Sequence, residues 1–149
     1  MWGLPVRRTP RAGPRVGRPD AHGGPSRVLR VMGQSPHGKD RHRAFQAFEV
    51  SLQMIRALVA PLTVVERRDP SLATQIRRAA ASVSLNLAEG GRRRGKDRVH
   101  LWRVASGSAA EVRASLHVAE AFGYLEVSQA ADALGLCDRM LAMLWGLTR

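Results

Sequence analysis

Gln75, Arg78, Ser82, Asn86 and Glu89 recur at intervals of three and four residues. On a helix that spacing aligns an amide, a guanidinium, a hydroxyl, a second amide and a carboxylate along one face. The surrounding segment is otherwise rich in Ala, Leu and Val, so the stripe specifies a contact and not simple solvation. Downstream, Gly107, Ser108 and Glu111 add two small residues and another carboxylate. Asn86, Glu89 and Glu111 together suggest general acid–base chemistry, yet no nucleophile–base pair accompanies them. His100 and His117 stand seventeen residues apart, and no Glu-x-x-His pair of the helical di-metal kind occurs. The pattern therefore assigns no catalytic residue, no metal and no cofactor. It fits a structural network in which Arg78 and Asn86 meet Ser108 and a buried Glu111. Gln75, Ser82 and Glu89 then help to hold helices or subunits in register, and the Gly107-Ser108 pair admits a close-packed helix.

A second group is basic: Arg77, Arg92, Arg93, Arg94, Lys96 and Arg98, with Arg78 beside them. Guanidinium forks suit bidentate phosphate contact, and the start of a following helix also favours anions. These residues are the candidate nucleic-acid contacts. The alternatives are a solvated loop, or arginines paired with neighbouring subunits. Trp102, Tyr124 and Trp145 do not interleave the cluster, so the expected binding is electrostatic, weakly sequence-selective and steeply salt-dependent.

The elements that position these groups follow from composition and period. Ala and Leu supply most of an apolar fraction of 44%, and aromatic residues are only 5%, a balance that favours helices over sheets. Leu72, Ile76, Ala80, Val83 and Leu87 form the apolar face opposite the polar stripe. Asp69-Pro70 reads as the N-cap and first position of that helix, and Gly90-Gly91 as its end, near Ala88. A preceding helix carries the stripe Phe45, Phe48, Leu52, Ile55, Val59 and Leu62, with Pro61 expected to kink or end it. A third begins near Lys96 or Asp97, carries Leu101, Ala105, Ser108, Val112, Leu116, Ala119 and Phe122, and closes at Gly123. Ser128 caps a fourth, striped by Ala130, Leu134, Cys137, Leu141 and Leu144. Trp102, Met143 and Trp145 lie off these stripes and serve either subunit contacts or a wider core. Four helices of 17 to 25 residues with short loops predict an all-α, antiparallel up-down four-helix bundle over 41–149.

Residues 1–40 differ in kind. They hold six of the eight prolines and eight basic against two acidic residues, half of the chain's net charge of +12. Lacking an apolar period, they are read as a disordered tail. Met32 is a candidate alternative start. The basic excess favours a polyanionic partner. Cys137 is the single cysteine, which excludes an internal disulfide, fits a cytoplasmic location and suits a small core residue. No uninterrupted apolar run of bilayer length and no secretory h-region is present, so no membrane partner is expected.

QIRRAAASVSLNLAEGGRRR followed by ASGSAAEVRASLHVAEAFGYL resembles the bacterial family of 23S rRNA intervening-sequence proteins, which includes the accessory variability determinant of diversity-generating retroelements. The resemblance spans about Phe45 to Leu147. It rests on Gln75, Arg77, Arg78, Ala79, Ser82, Asn86, Ala88, Glu89, Gly90, Gly107, Ser108, Glu111 and the Gly123-Tyr124-Leu125 turn. It implies an up-down four-helix protomer, a barrel-like homopentamer with a basic surface, and no enzymatic activity. A reverse transcriptase is a protein partner it also brings in view. The combined expectation is a non-enzymatic homo-oligomer that binds RNA or DNA backbone as a scaffold or accessory factor. The alternative is a protein–protein adaptor without a nucleic-acid role.

Overall fold

The computed structural model describes residues 36–149. They form four helices: α1 (Pro36–Arg68), α2 (Pro70–Arg92), α3 (Gly95–Ala121) and α4 (Val127–Thr148). Among the described residues there is no strand. Each helix packs on its neighbour in sequence, and α1 closes the ring against α4. With one, two and five residues between successive helices, this is the antiparallel four-helix bundle. Most of the segment expected to be disordered lies outside the described residues, as does Met32. Its last five residues nonetheless belong to α1, which opens on Pro36 because a missing N–H costs nothing at a first helical position.

The apolar face of α2 is as its period predicts: Leu72, Ile76, Ala80, Val83 and Leu87 are all buried. Asp69 adopts extended backbone, and its Oδ1 accepts from the Leu72 N–H at 2.9 Å. On α1 the expected stripe is one step out of phase. The core is made by Ala44, Ala47, Val50, Met54, Leu58, Leu62 and Val65, whereas Phe45 and Val59 are exposed and Phe48, Leu52 and Ile55 half-buried. The cause is an apolar surplus, since α1 has two adjacent apolar faces and the one with smaller residues turns inward. That surplus makes Gly38–Arg68 long and apolar enough, by length and composition, to cross a membrane, although no uninterrupted run exists.

Pro61 does not end the helix. It is buried within α1, which runs to Arg68 and totals 33 residues. An interior proline costs about 3 kcal/mol, but ending there would forfeit the burial of Leu62 and Val65, worth roughly 1.5–3 kcal/mol each. On α4 the cap is Glu126 and not Ser128: Gln129 Oε1 accepts from the Glu126 N–H at 2.8 Å, completing a capping box. At 27 residues, α3 also exceeds the expected length; Gly123, at φ +68, follows it in the left-handed turn that ends it.

Gly90 and Gly91 lie inside α2, which continues to Arg92. Gly90 is required for a different reason. A Cβ there would stand 2.6 Å from Trp102 Nε1 and 2.7 Å from its Cδ1. Trp102 is a core residue at 2% exposure, Met143 packs against the core, and Trp145 is exposed. In the interior, Ser84 Oγ donates to Ser51 Oγ at 2.9 Å across α1 and α2, and Ser51 Oγ donates to the Phe48 carbonyl at 2.6 Å. Cys137 Sγ lies 3.6 Å from Met54 Sδ across α1 and α4.

Two outcomes follow from this packing. Gly90→Ala should destabilise the bundle by about 1–3 kcal/mol through overpacking on Trp102. Gly91→Ala, where a Cβ meets nothing within 4 Å, should be neutral or stabilising by up to about 1 kcal/mol in urea unfolding. Burial also pushes the Cys137 thiol up to about 11 from an ordinary 9.0. The fold thus favours the protonated thiol, and its contribution is intact below pH 9 and lost as pH rises toward 11. The stability gap between wild type and Cys137→Ala should accordingly narrow over that window by on the order of 2 kcal/mol, with slow native-state thiol labelling at pH 8.

Candidate nucleic-acid interface

Along the seam between α2 and α3, Gln75 and Ser82, and not the expected Arg78 and Asn86, supply the hydrogen bonds to α3. Ser82 Oγ and Ser108 Oγ meet at 2.8 Å, and Gln75 Nε2 donates to Glu111 Oε1 at 3.3 Å. Asn86 Nδ2 turns back along its own helix, donating to Ser82 O at 2.8 Å and Ser82 Oγ at 3.1 Å. Glu111 is exposed, not buried, because α3 turns Ser108 and Val112 inward and leaves position 111 on the outer flank. Arg78 does not bond to it; both line an open hollow of about 630 Å³ with Pro70, Ser71, Thr74 and Gln75. Glu89 pairs locally, with Nη2 of Arg93 just past the end of α2, at 2.8 Å. A Cβ at Gly107 would meet nothing within 4 Å, so no helix of the same protomer needs its small size. The structure therefore brings together Gln75, Ser82, Asn86, Ser108 and Glu111, but not Arg78, Glu89 or Gly107.

The basic group divides more sharply. Arg77 lies fifteen residues before Arg92 on the same helix, roughly 22 Å along its axis. There it forms a two-pronged pair with Glu66 of α1, Nη1 to Oε1 at 3.0 Å. Hydrogen bonding to Arg77 holds the Glu66 carboxyl below its usual range and raises the guanidinium. Arg77 and Arg78 thus belong to the other end of the bundle from the α2–α3 turn. At the turn, Glu89 likewise raises Arg93 through their hydrogen bond.

Arg98 departs most from expectation, with only 9% of its surface exposed. Its Nε donates to the Arg93 carbonyl at 2.9 Å, and its guanidinium carbon lies 5.5 Å from the Trp102 ring centroid. Arg98 therefore ties the turn to the indole beneath it. The exposed cations left on the turn are Arg92, Arg94 and Lys96. Gly95, at φ +59, lets the chain reverse there, and Arg94 caps α3 without a side-chain hydrogen bond. First-turn N–H groups of α3 are consequently available to an anion beside three exposed cations.

Two hollows adjoin this turn. One of about 790 Å³ is lined by Leu85, Ala88, Glu89, Arg92 and Arg93. The other, of about 270 Å³, is lined by Arg41, Ala44, Phe45, Phe48, Leu87, Ala88 and Gly91. Phe45 and Arg41 escape sequence reasoning because they lie more than forty residues away and Phe45 matches a helix core period. The signal that could have exposed them is the apolar surplus of that helix. Among the described residues no cluster of His, Cys, Asp or Glu could hold a metal; His117 Nδ1 is engaged with Glu120 Oε2 at 2.9 Å.

Replacing Arg98 by Lys keeps the charge but removes the guanidinium N–H that holds the turn. We expect a loss of about 1.5–3 kcal/mol in chemical denaturation, with faster hydrogen exchange localised to residues 92–95.

Comparison with known proteins adds the family to this geometry. No curated protein matches the chain. Among solved structures, the fold is similar to the crystal structure of a protein with unknown function from the S23 ribosomal protein family of Bacteroides thetaiotaomicron VPI-5482. The TM-score is 0.62 at 18% identity, over 69% of this chain and 98% of that one, a likeness that bears on fold alone. The family model of the 23S rRNA-intervening sequence protein matches residues 43–146, which takes in all of α2 and α3 and most of α1 and α4. With its polar α2–α3 seam and its four-helix ring both inside that match, the chain belongs to the 23S rRNA-intervening sequence protein family.

Proposed function

We propose that the chain is a non-enzymatic, homo-oligomeric bundle that holds RNA or DNA by its phosphate backbone, as a cytoplasmic scaffold or accessory factor. One observation carries the proposal. Arg92, Arg94 and Lys96 stand exposed on a turn braced from below, beside the uncapped start of α3. Bracing matters because a cation held in place loses less conformational freedom on binding than one on a slack loop. Arginine forks and helix-terminal N–H groups both suit phosphate oxygens. Assembly with further copies, as a pentamer by family resemblance, would repeat the turn around a ring and multiply a weak contact.

Mobility-shift titration of the full chain over a range of salt concentrations tests this. Replacing Arg92, Arg94 and Lys96 together by Gln should lower the salt slope by about 2–3, near 0.9 per phosphate contact on duplex DNA. Thermal stability should hardly change, since all three are exposed. An unchanged slope would remove the turn from the interface and leave the adaptor reading standing.

A further inference from the structure

Phe45 is 62% exposed, next to Ala88 and Gly91 of α2 at the basic end of the bundle. We propose that the recess it lines is a base-stacking subsite that takes one unpaired nucleobase of a single strand. The strand's phosphates then lie on Arg41 and on Arg92 in the adjoining hollow. This inference rests on the backbone-binding reading above and adds the class of strand the site selects.

Shape, chemistry and charge agree on that occupant. Arg41 is the one charged residue lining the recess; Ala44, Phe45, Phe48, Leu87, Ala88 and Gly91 supply an apolar floor and wall. Its volume of about 270 Å³ lies just under the roughly 300–1,000 Å³ of drug-sized pockets. That is room for a flat ring. Gly91 leaves the floor open, with nothing within 4 Å of where a Cβ would project. Ala88 lines both hollows, so the apolar recess borders the one lined by Arg92 and Arg93. An apolar face bordered by cations matches a base attached to its phosphate.

The other exposed aromatic rings each have an intramolecular partner on one face. Phe122 stacks on Tyr124 with centroids 5.4 Å apart, and the Arg149 guanidinium lies 4.6 Å from the Trp145 centroid. Phe45 has no such aromatic or cationic cover among the described residues. In a duplex the bases are paired and stacked away from such a recess, whereas a single strand can turn one base into it. Stacking also tolerates sequence, because every base has a π-face.

Fluorescence anisotropy on the full chain, with a labelled single strand of about 12 nucleotides and its duplex, tests the assignment. The single strand should bind at least about fivefold tighter than the duplex. Phe45→Ala should abolish that preference without altering the salt slope, and Phe45→Trp should preserve it. A 2-aminopurine in the strand should be quenched by wild type and Phe45→Trp but not by Phe45→Ala. RNA and DNA strands should behave alike, since stacking does not read the 2′-hydroxyl. Equal binding of strand and duplex, unaffected by Phe45→Ala, would overturn the subsite while leaving backbone binding intact. Absence of binding to either form at low salt would overturn both. A lower sedimentation mass for Phe45→Ala would assign the recess to a second copy of the chain and overturn the proposal.

Discussion

The close approach of Trp102 to Gly90 is the constraint on which the basic end of the bundle depends. The indole fills the gap between α2 and α3 where α2 offers only backbone, and no side chain at position 90 would leave it room. Its Nε1 is buried without a hydrogen-bond partner, a loss of about 1–3 kcal/mol. Burying some 200 Å² of indole returns roughly 5 kcal/mol, so packing wins over the orphaned N–H. Arg98 then lies over the ring and grips the Arg93 carbonyl, carrying the order of the core out to the surface turn.

From that brace follows a division of labour among the arginines. Exposed ion pairs such as Glu66–Arg77, Glu89–Arg93 and Arg113–Asp138 add little stability in water. Their larger effect is to occupy cations that would otherwise be available to a partner. What remains at the α2–α3 end is Arg92, Arg94 and Lys96, with Arg41 reaching the same region from α1. The seam between α2 and α3 contributes differently, since Ser82 with Ser108 and Gln75 with Glu111 align the helices whose junction forms the turn.

Much of the fold was legible along the chain. Leu72, Ile76, Ala80, Val83 and Leu87 show a single apolar period, and Asp69-Pro70 combines a capping oxygen with a fixed φ, so α2 could be placed and started from local chemistry. Three of the misreadings share one cause. The helix end expected at Pro61, the end expected at Gly90-Gly91 and the phase of α1 each rest on a local preference that burial outweighs. On α1 in particular, Phe45, Phe48 and Leu52 outrank Ala44 and Ala47 by hydrophobicity, yet the alanines turn inward. Which of two apolar faces is buried depends on the helices opposite, and no period along one segment contains that information.

The candidate site divides along the same line. Sequence alone determined that the chain is helical, that a basic turn joins α2 to α3, and that a polar stripe runs beside it, because each depends on neighbours within one or two turns. Tertiary structure decided which cations stay exposed, since pairing of Arg77 with Glu66 and burial of Arg98 join residues to partners that spacing does not identify. It also decided that Phe45 stands beside the turn. The antiparallel return of α2 along α1 brings residues 41–48 level with residues 87–91, a proximity created by chain reversal and side-chain packing across the bundle.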